Sequence, residues 1–179
     1  MSLKHAILGL LEVNSLSGYD LKKYFDSSVN SYWAATHSQI YRTLDDTTKE
    51  GLTKSEIIQQ DKNPNKKLFS ITEKGKEELM SWLKINKQLP VIRHQILLQF
   101  SLSNLLTKKQ ILQLLENYKS QLERKIYILK SPVHQTLIEY ARDKKEKLLW
   151  ELTLENGIMY YENEINWIKK CETQISREL

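Results

Sequence analysis

A single cysteine, Cys171, stands in 179 residues, so neither an intrachain disulfide nor a cysteine-based zinc site can form. Its ordinary role is a half-buried thiol on a helix, where free cysteine packs as a small hydrophobe. Five glycines and three prolines are too few for a turn-rich all-β fold, and long helices are favoured. No apolar run approaches the ~20 residues that span a bilayer. The N-terminus lacks the basic start, apolar stretch and small-residue cleavage site of a secretory signal. A cytoplasmic chain with no membrane partner is the expectation. Catalytic signatures are missing too. His5, His37, His94 and His134 have no metal-ligand spacing, and no HExxH, GxSxG or glycine-rich phosphate loop occurs. Ser38 beside His37 is no catalytic pair, because neighbours on a helix point about 100° apart. Neither an enzyme nor a cofactor is expected.

What is present fits a folded, mainly helical chain. Hydrophobic residues make up 40% and charged residues 27%, which suits globular packing and argues against disorder. The length allows one large domain or two small ones. A net charge of +5 permits a polyanionic partner without requiring one. Residues 1–88 hold 13 basic against 11 acidic side chains, and residues 89–179 hold 14 against 11. The surplus is therefore spread evenly, and any nucleic-acid argument must rest on local clusters.

Leu3, Ala6, Ile7, Leu10 and Leu11 repeat at helical spacing, predicting a first helix that ends near Val13. Ser17 and Asp20 form an N-terminal capping signal for a second helix carrying Tyr19, Leu21, Tyr24, Phe25 and Val29. Tyr32 and Trp33 lie in the connection to a third. There Ile40, Leu44 and Thr47 face inward and Gly51 stops the helix. Strands follow between Leu52 and Gln60 and from Lys67 to Ile71, around an Asn63-Pro64-Asn65 turn. Thr72 and Glu73 open a fourth helix with Leu79, Trp82 and Leu83 on its apolar side. The order helix, strand, basic turn, strand, helix is that of a winged helix-turn-helix.

The third helix turns Ser38, Gln39, Arg42 and Lys49 away from its apolar side. Small polar residues at a helix start can approach base edges; Gln pairs with adenine, and Arg with guanine or phosphate. A solvated helix face is the plainer reading of those residues alone. The neighbouring turn shifts the balance, because Lys62, Lys66 and Lys67 cluster with Asn63 and Asn65 at a hairpin tip. Such a tip can reach phosphates or the minor groove beside a reading helix. Asp45 and Asp46 oppose this by repelling phosphate, so only the first turn or so of the helix enters the groove.

Gln88-Leu89-Pro90 marks the boundary between halves. Beyond it Ile96, Leu97, Phe100 and Leu105 form an apolar group. Thr107 with Gln110 is a capping box opening a long helix. Its Ile111, Leu115, Tyr118, Leu122, Ile126 and Leu129 step by three and four, a seam for another helix with no evident partner in a lone domain. Ser131-Pro132 ends it, and a short helical piece follows near Leu137 to Ala141. A final helix starts about Asp143, with Leu148, Leu152, Ile158, Tyr161, Ile165 and Ile168 on its buried side. Gly157 within it is compatible with a close crossing or slight bend.

Leu8-Gly9-Leu10-Leu11, Ser17-Gly18-Tyr19-Asp20-Leu21, Trp33, His37-Ser38-Gln39-Ile40-Tyr41 and Ile71-Thr72-Glu73-Lys74-Gly75 resemble the PadR family of bacterial transcriptional regulators. The second half resembles, in length and character, the helical C-terminal domain of its long subfamily. The resemblance implies a winged helix-turn-helix DNA-binding domain over 1–88 and an all-α dimerisation and effector domain over 89–179. Tyr19, His37 and Tyr41, in the matching motifs, and Thr36 just before one of them then join Ser38, Gln39 and Arg42 as candidate DNA contacts. It also implies a homodimer on a palindromic operator, paired through the Ile111–Leu129 seam and Ile158, Tyr161, Ile165 and Ile168. Repression relieved by a small phenolic or other aromatic effector, bound between the domains, is implied as well. Arg93 and Trp150 can line such a pocket; a surface arginine and a core tryptophan is the plainer reading. The chain departs from the family where Arg42 replaces the common proline, Thr47 a supporting leucine, and Asp45 and Asp46 basic or neutral residues. A helical adaptor using a winged fold to bind protein alone is the competing function.

Overall fold

Regular apolar spacing at the N-terminus becomes helix α1 (Ser2–Val13) in the computed structural model. The structure describes residues 2–27, 33–59, 65–86, 89, 93–139 and 141–179. The chain divides into two compact units, Met1–Gln88 and Leu89–Leu179.

In the first unit, α1 is followed by α2 (Gly18–Ser27), α3 (His37–Lys49) and α4 (Glu73–Leu83). A three-stranded antiparallel sheet joins them: β1 (Leu16–Ser17), β3 (Lys66–Ile71) and β2 (Thr53–Ile58), in that order. The hairpin register runs from Thr53 opposite Ile71 to Ile58 opposite Lys66. β1 was not expected. Two residues carry no readable alternation, and Leu16–Ser17 become a strand only by pairing with Phe69 and Leu68. Ile7, Leu11, Leu21, Phe25, Ile40, Leu44 and Phe69 form one buried core, each side chain contributing about 1.5–3 kcal/mol on burial. Val29, Tyr32, Asn63 and Pro64 lie outside the described residues.

α3 buries Ile40, Leu44 and Thr47, the set its spacing predicts, and Gly51 adopts φ of 73° just past its end, the left-handed cap that glycine accommodates. A buried Thr47 needs a partner for its hydroxyl. It donates to the Leu44 carbonyl at 3.0 Å and lies 3.0 Å from the Thr53 hydroxyl, so polar pairing replaces the apolar support of a leucine.

Thr72 anchors α4. Its hydroxyl accepts from the Gly75 amide and donates to the Gly51 and Leu52 carbonyls at 2.8 and 3.0 Å. The Lys74 ammonium donates to the Glu50 carbonyl at 2.8 Å. On the other side His5, buried on α1, stacks on Trp82 at 4.5 Å and contacts Glu78, which also pairs with Lys4 at 2.9 Å. Leu83, expected on the apolar side of α4, is instead 62% exposed. It lies one position past Trp82, about 100° round the helix from the residue that meets α1.

The second unit contains α5 (Gln95–Ser101), a 3₁₀ turn (Ser103–Leu105), α6 (Lys108–Leu129), α7 (Pro132–Glu139) and α8 (Lys144–Glu178). Thr107 and Gln110 make the expected capping box, and Asp143 caps α8. α7 starts earlier than expected because Pro132 occupies its first turn, where a missing N–H costs nothing. α6 and α8 pack together, burying Ile111, Leu115, Leu122, Ile168, Cys171 and Ile175. Cys171 is therefore buried, not half-buried, and its surroundings push the thiol pKa up. Leu105 is 89% exposed and Leu97, Leu148 and Leu152 are also exposed, contrary to expectation. Leu148 and Leu152 sit on the side of α8 opposite Ile168, which is buried against α6. An added Cβ at Gly157 would meet Leu129 at an ordinary 3.9 Å, so no close crossing demands glycine there. Among the described residues no helix is long and apolar enough to cross a membrane.

Candidate nucleic-acid interface

α3 presents its first turns to solvent. Thr36, His37, Ser38, Gln39, Tyr41 and Arg42 are all exposed while Ile40 is fully buried. Thr36 is the N-cap: its hydroxyl accepts the Gln39 amide at 3.3 Å. Gln39 reciprocates, its side-chain carbonyl accepting the Thr36 N–H at 2.8 Å and the Thr36 hydroxyl at 3.2 Å.

In that geometry Gln39 fastens the start of its own helix while its side chain stays exposed. Bidentate pairing with adenine needs its carbonyl as well as its NH₂, and here the carbonyl serves the capping box. Only the NH₂ is left over from the cap. Of the side chains expected at base edges, Ser38 and Arg42 have groups that the cap does not use. The signal was in the sequence: Thr36-x-x-Gln39 has the spacing of Thr107-x-x-Gln110.

His37 stacks on Tyr41 with ring centroids 4.4 Å apart. Tyr41 in turn lies over Gly18, where a Cβ would come within 2.5 Å of its ring. The aromatic pair thus covers the start of α2, next to Tyr19, which is 71% exposed. Tyr41 packs and orients; Tyr19 is free to reach outward. Asp45, Asp46 and Lys49 are exposed further along α3, so the acidic pair sits beyond the capped first turns.

Lys66 also departs from expectation. Its ammonium pairs with Asp20 at 2.7 Å, and Asp20 accepts the Ser17 hydroxyl at 2.8 Å. The ammonium beside it, and then Ser17, hold the Asp20 carboxyl below its ordinary pKa. Lys66 therefore ties the wing to the start of α2. Lys67 is exposed, its ammonium 5.0 Å from the centre of the Phe69 ring. Asn65 is exposed; Lys62 and Asn63 lie outside the described residues.

In the second unit, the expected dimer seam is filled within one chain. Ile111, Leu115, Leu122 and Leu129 on α6 and Ile168 on α8 are buried, and Tyr118, Ile126, Ile158, Tyr161 and Ile165 half-buried. The partner of α6 is the chain's own α8, which corrects the premise that the seam lacks one. Tyr118 is engaged further: its hydroxyl donates to Glu164 at 3.2 Å and lies 3.0 Å from His94 Nε2. Burial and the Glu164 carboxylate raise its pKa well above the ordinary phenol value. Arg93 is exposed ahead of α5 and Trp150 half-buried on α8. Two shallow grooves of about 700 and 310 Å³ mark this unit, and neither is lined by Arg93 or Trp150. Among the described residues no cluster of His, Cys, Asp or Glu has the makings of a metal site.

Comparison with known proteins adds a second line. Residues 7–81 match the transcriptional regulator PadR-like family, and residues 92–176 match the virulence activator alpha C-terminal family. The chain is 35% identical over 124 residues to the negative transcriptional regulator PadR of Bacillus subtilis (strain 168), covering 69% of this chain and 66% of that one. The match thus spans just under two thirds of that relative's length. The crystal structure of Bacillus subtilis PadR in complex with operator DNA is similar at a TM-score of 0.84 and 27% identity, covering 98% of this chain and 99% of that one. The same protein in complex with p-coumaric acid gives 0.77 and 26%, covering 97% and 95%.

Proposed function

The chain belongs to the PadR-like family of transcriptional regulators, and we propose from that premise that it binds double-stranded operator DNA as a homodimeric repressor. The observation that carries this reading is the capped, solvent-facing start of α3, beside a hairpin whose β3 carries Lys67. Ser38 and Arg42 read base edges, with the Gln39 NH₂ as an auxiliary donor. Tyr19, His37 and the wing residues Asn65 and Lys67 contact the sugar-phosphate backbone, and the sequence adds Lys62 and Asn63, which lie outside the described residues, to the same set. Phosphate contacts position the unit, and base contacts give it sequence preference. The likeness to a relative in complex with operator DNA supports this assignment.

Two copies on a palindrome place their α3 helices one helical turn apart, about 34–36 Å. A likeness to the complex with p-coumaric acid supports a small aromatic acid as the releasing effector. A regulator of this kind works where the chromosome lies, in the cytoplasm. The matched family and the curated relative are regulators and not enzymes, in line with the sequence. The test is a duplex titration across salt. Counterion release makes log affinity fall linearly with log salt; a protein-only adaptor binds no duplex saturably even at low salt.

A further inference from the structure

The start of α3 carries one imidazole. His37, the first residue of the helix, is exposed and stacks on Tyr41 with ring centroids 4.4 Å and planes 30° apart. Tyr41 is itself seated on Gly18, where a Cβ would come within 2.5 Å of its ring. The imidazole thus rests on a platform that α2 supports from below. Among the described residues its nitrogens make no hydrogen bond and no ion pair. The ionisable neighbours are Tyr41 on its own helix and, beside Gly18 at the start of α2, Tyr19 and Asp20. The Asp20 carboxylate is already engaged by Lys66 and Ser17. Of the four histidines, His5 is buried on α1 against Trp82, and His94 and His134 belong to the second unit. His37 alone stands on the solvent-facing start of α3.

Resting on the DNA-binding reading above, we propose that His37 docks on a DNA phosphate as the imidazolium, so that the chain takes up protons from solvent when it binds a duplex. A phosphate beside the ring favours the charged form, and a charged donor makes the stronger hydrogen bond to an anion. The Tyr41 ring on the other side favours a cation as well. Imidazole is the side chain whose charge ordinarily changes between pH 5 and 8. The sign follows from linkage: a proton held more firmly in the complex than in the free chain makes affinity rise as pH falls through that window. The wing tie stays constant meanwhile, because the Asp20 carboxyl is held below 3.8 and remains ionised.

Titrations of the full chain on a mixed-sequence duplex, at several pH values and salt concentrations, test this. Affinity is expected to rise about three- to tenfold per chain from pH 8 to pH 5. The salt slope steepens by up to about 0.9 per chain over the same range, because the new cationic contact releases a counterion. His37→Phe keeps a ring on Tyr41 without a proton, and is expected to bind no tighter at pH 5 than at pH 8. His37→Arg keeps the cation, and is expected to hold the tight, steeply salt-dependent binding at both. Calorimetry in two buffers of different ionisation enthalpy reads proton uptake directly, present in wild type and lost in both variants. Thermal melts of the same samples check that each variant is folded.

Wild-type affinity that is flat across the window, or a pH response that persists in His37→Phe, overturns the proposal. Absence of saturable duplex binding at every pH overturns the DNA reading itself, so the two failures are distinct.

Discussion

The Gln39 side-chain carbonyl accepts the Thr36 backbone N–H at 2.8 Å, so a residue on the face proposed to read DNA also fastens the start of its own helix. Gln39→Glu separates the two duties. A carboxylate keeps the capping box and suits the positive end of the helix dipole, so thermal stability is expected to hold or rise slightly. Facing phosphates and base edges, the same carboxylate is expected to weaken operator binding about tenfold or more, as for one lost base contact. Calorimetry and fluorescence anisotropy on one preparation check both halves. Unchanged operator affinity would reduce Gln39 to a cap alone.

Arg42 and Lys67 are expected to fail differently. Arg42→Ala costs about 1–3 kcal/mol on the cognate operator and much less on random DNA. Lys67→Ala weakens both duplexes alike and lowers the salt slope by about one. Anisotropy titrations on the two duplexes at several salt concentrations distinguish them. Identical profiles for the two variants would contradict this division.

Asp20 gives the wing an acid-sensitive tie. Its folded pKa is depressed, first by the hydrogen-bonded Lys66 and then by Ser17. The sign follows from linkage: the stabilisation is present above the ordinary value of 3.8 and is lost as pH falls through the lower folded value. Urea midpoints of wild type and Asp20→Asn are therefore expected to differ at neutral pH and converge in acid below 3.8. At neutral pH the variant also releases Lys66, so affinity for any duplex rises at low salt. A gap in midpoints that persists in strong acid would show that the Lys66 pairing is not its source.

Two glycines are expected to respond oppositely. A Cβ at Gly75 would lie 2.2 Å from the Leu52 carbonyl oxygen and 2.8 Å from Ile71 Cγ1. Backbone must move, so Gly75→Ala costs about 3 kcal/mol, at the upper end for overpacking. At Gly157 the nearest atom is 3.9 Å away, and alanine there stabilises by about 1 kcal/mol through helix propensity. Urea unfolding of each variant gives the comparison. A neutral Gly75→Ala would mean that α4 does not press on the Leu52 carbonyl.

Features set by local periodicity were legible in the sequence. Ile40, Leu44 and Thr47 share one side of α3 because 3.6-residue spacing places them there, whatever surrounds the helix. The Thr107 and Thr72 caps follow from short-range chemistry in the same way. What escaped depends on distant partners. β1 exists only because Phe69 and Leu68 pair with it, and Lys66 meets Asp20 across 46 positions of chain. Leu83, Leu105, Leu148 and Leu152 were assigned to buried faces on hydrophobicity, yet α4, α5 and α8 carry apolar residues on more than one side. Which side is covered is decided by the neighbouring element, and periodicity cannot see it. Gln39 is a different case, since the Thr36-x-x-Gln39 spacing marks a cap and its exposed side chain marks a base contact at once.

The central claim is that the exposed start of α3 and the adjoining wing recognise duplex DNA in sequence. Selecting duplexes from a random pool with the purified full chain, then measuring the winner against a scrambled copy across salt, tests it most directly. The account predicts a palindromic winner with half-sites about 10–10.5 base pairs apart, a linear fall of log affinity with log salt, and loss of preference in Arg42→Ala. Saturable binding absent at low salt, or a winner bound no better than its scrambled copy, would contradict it.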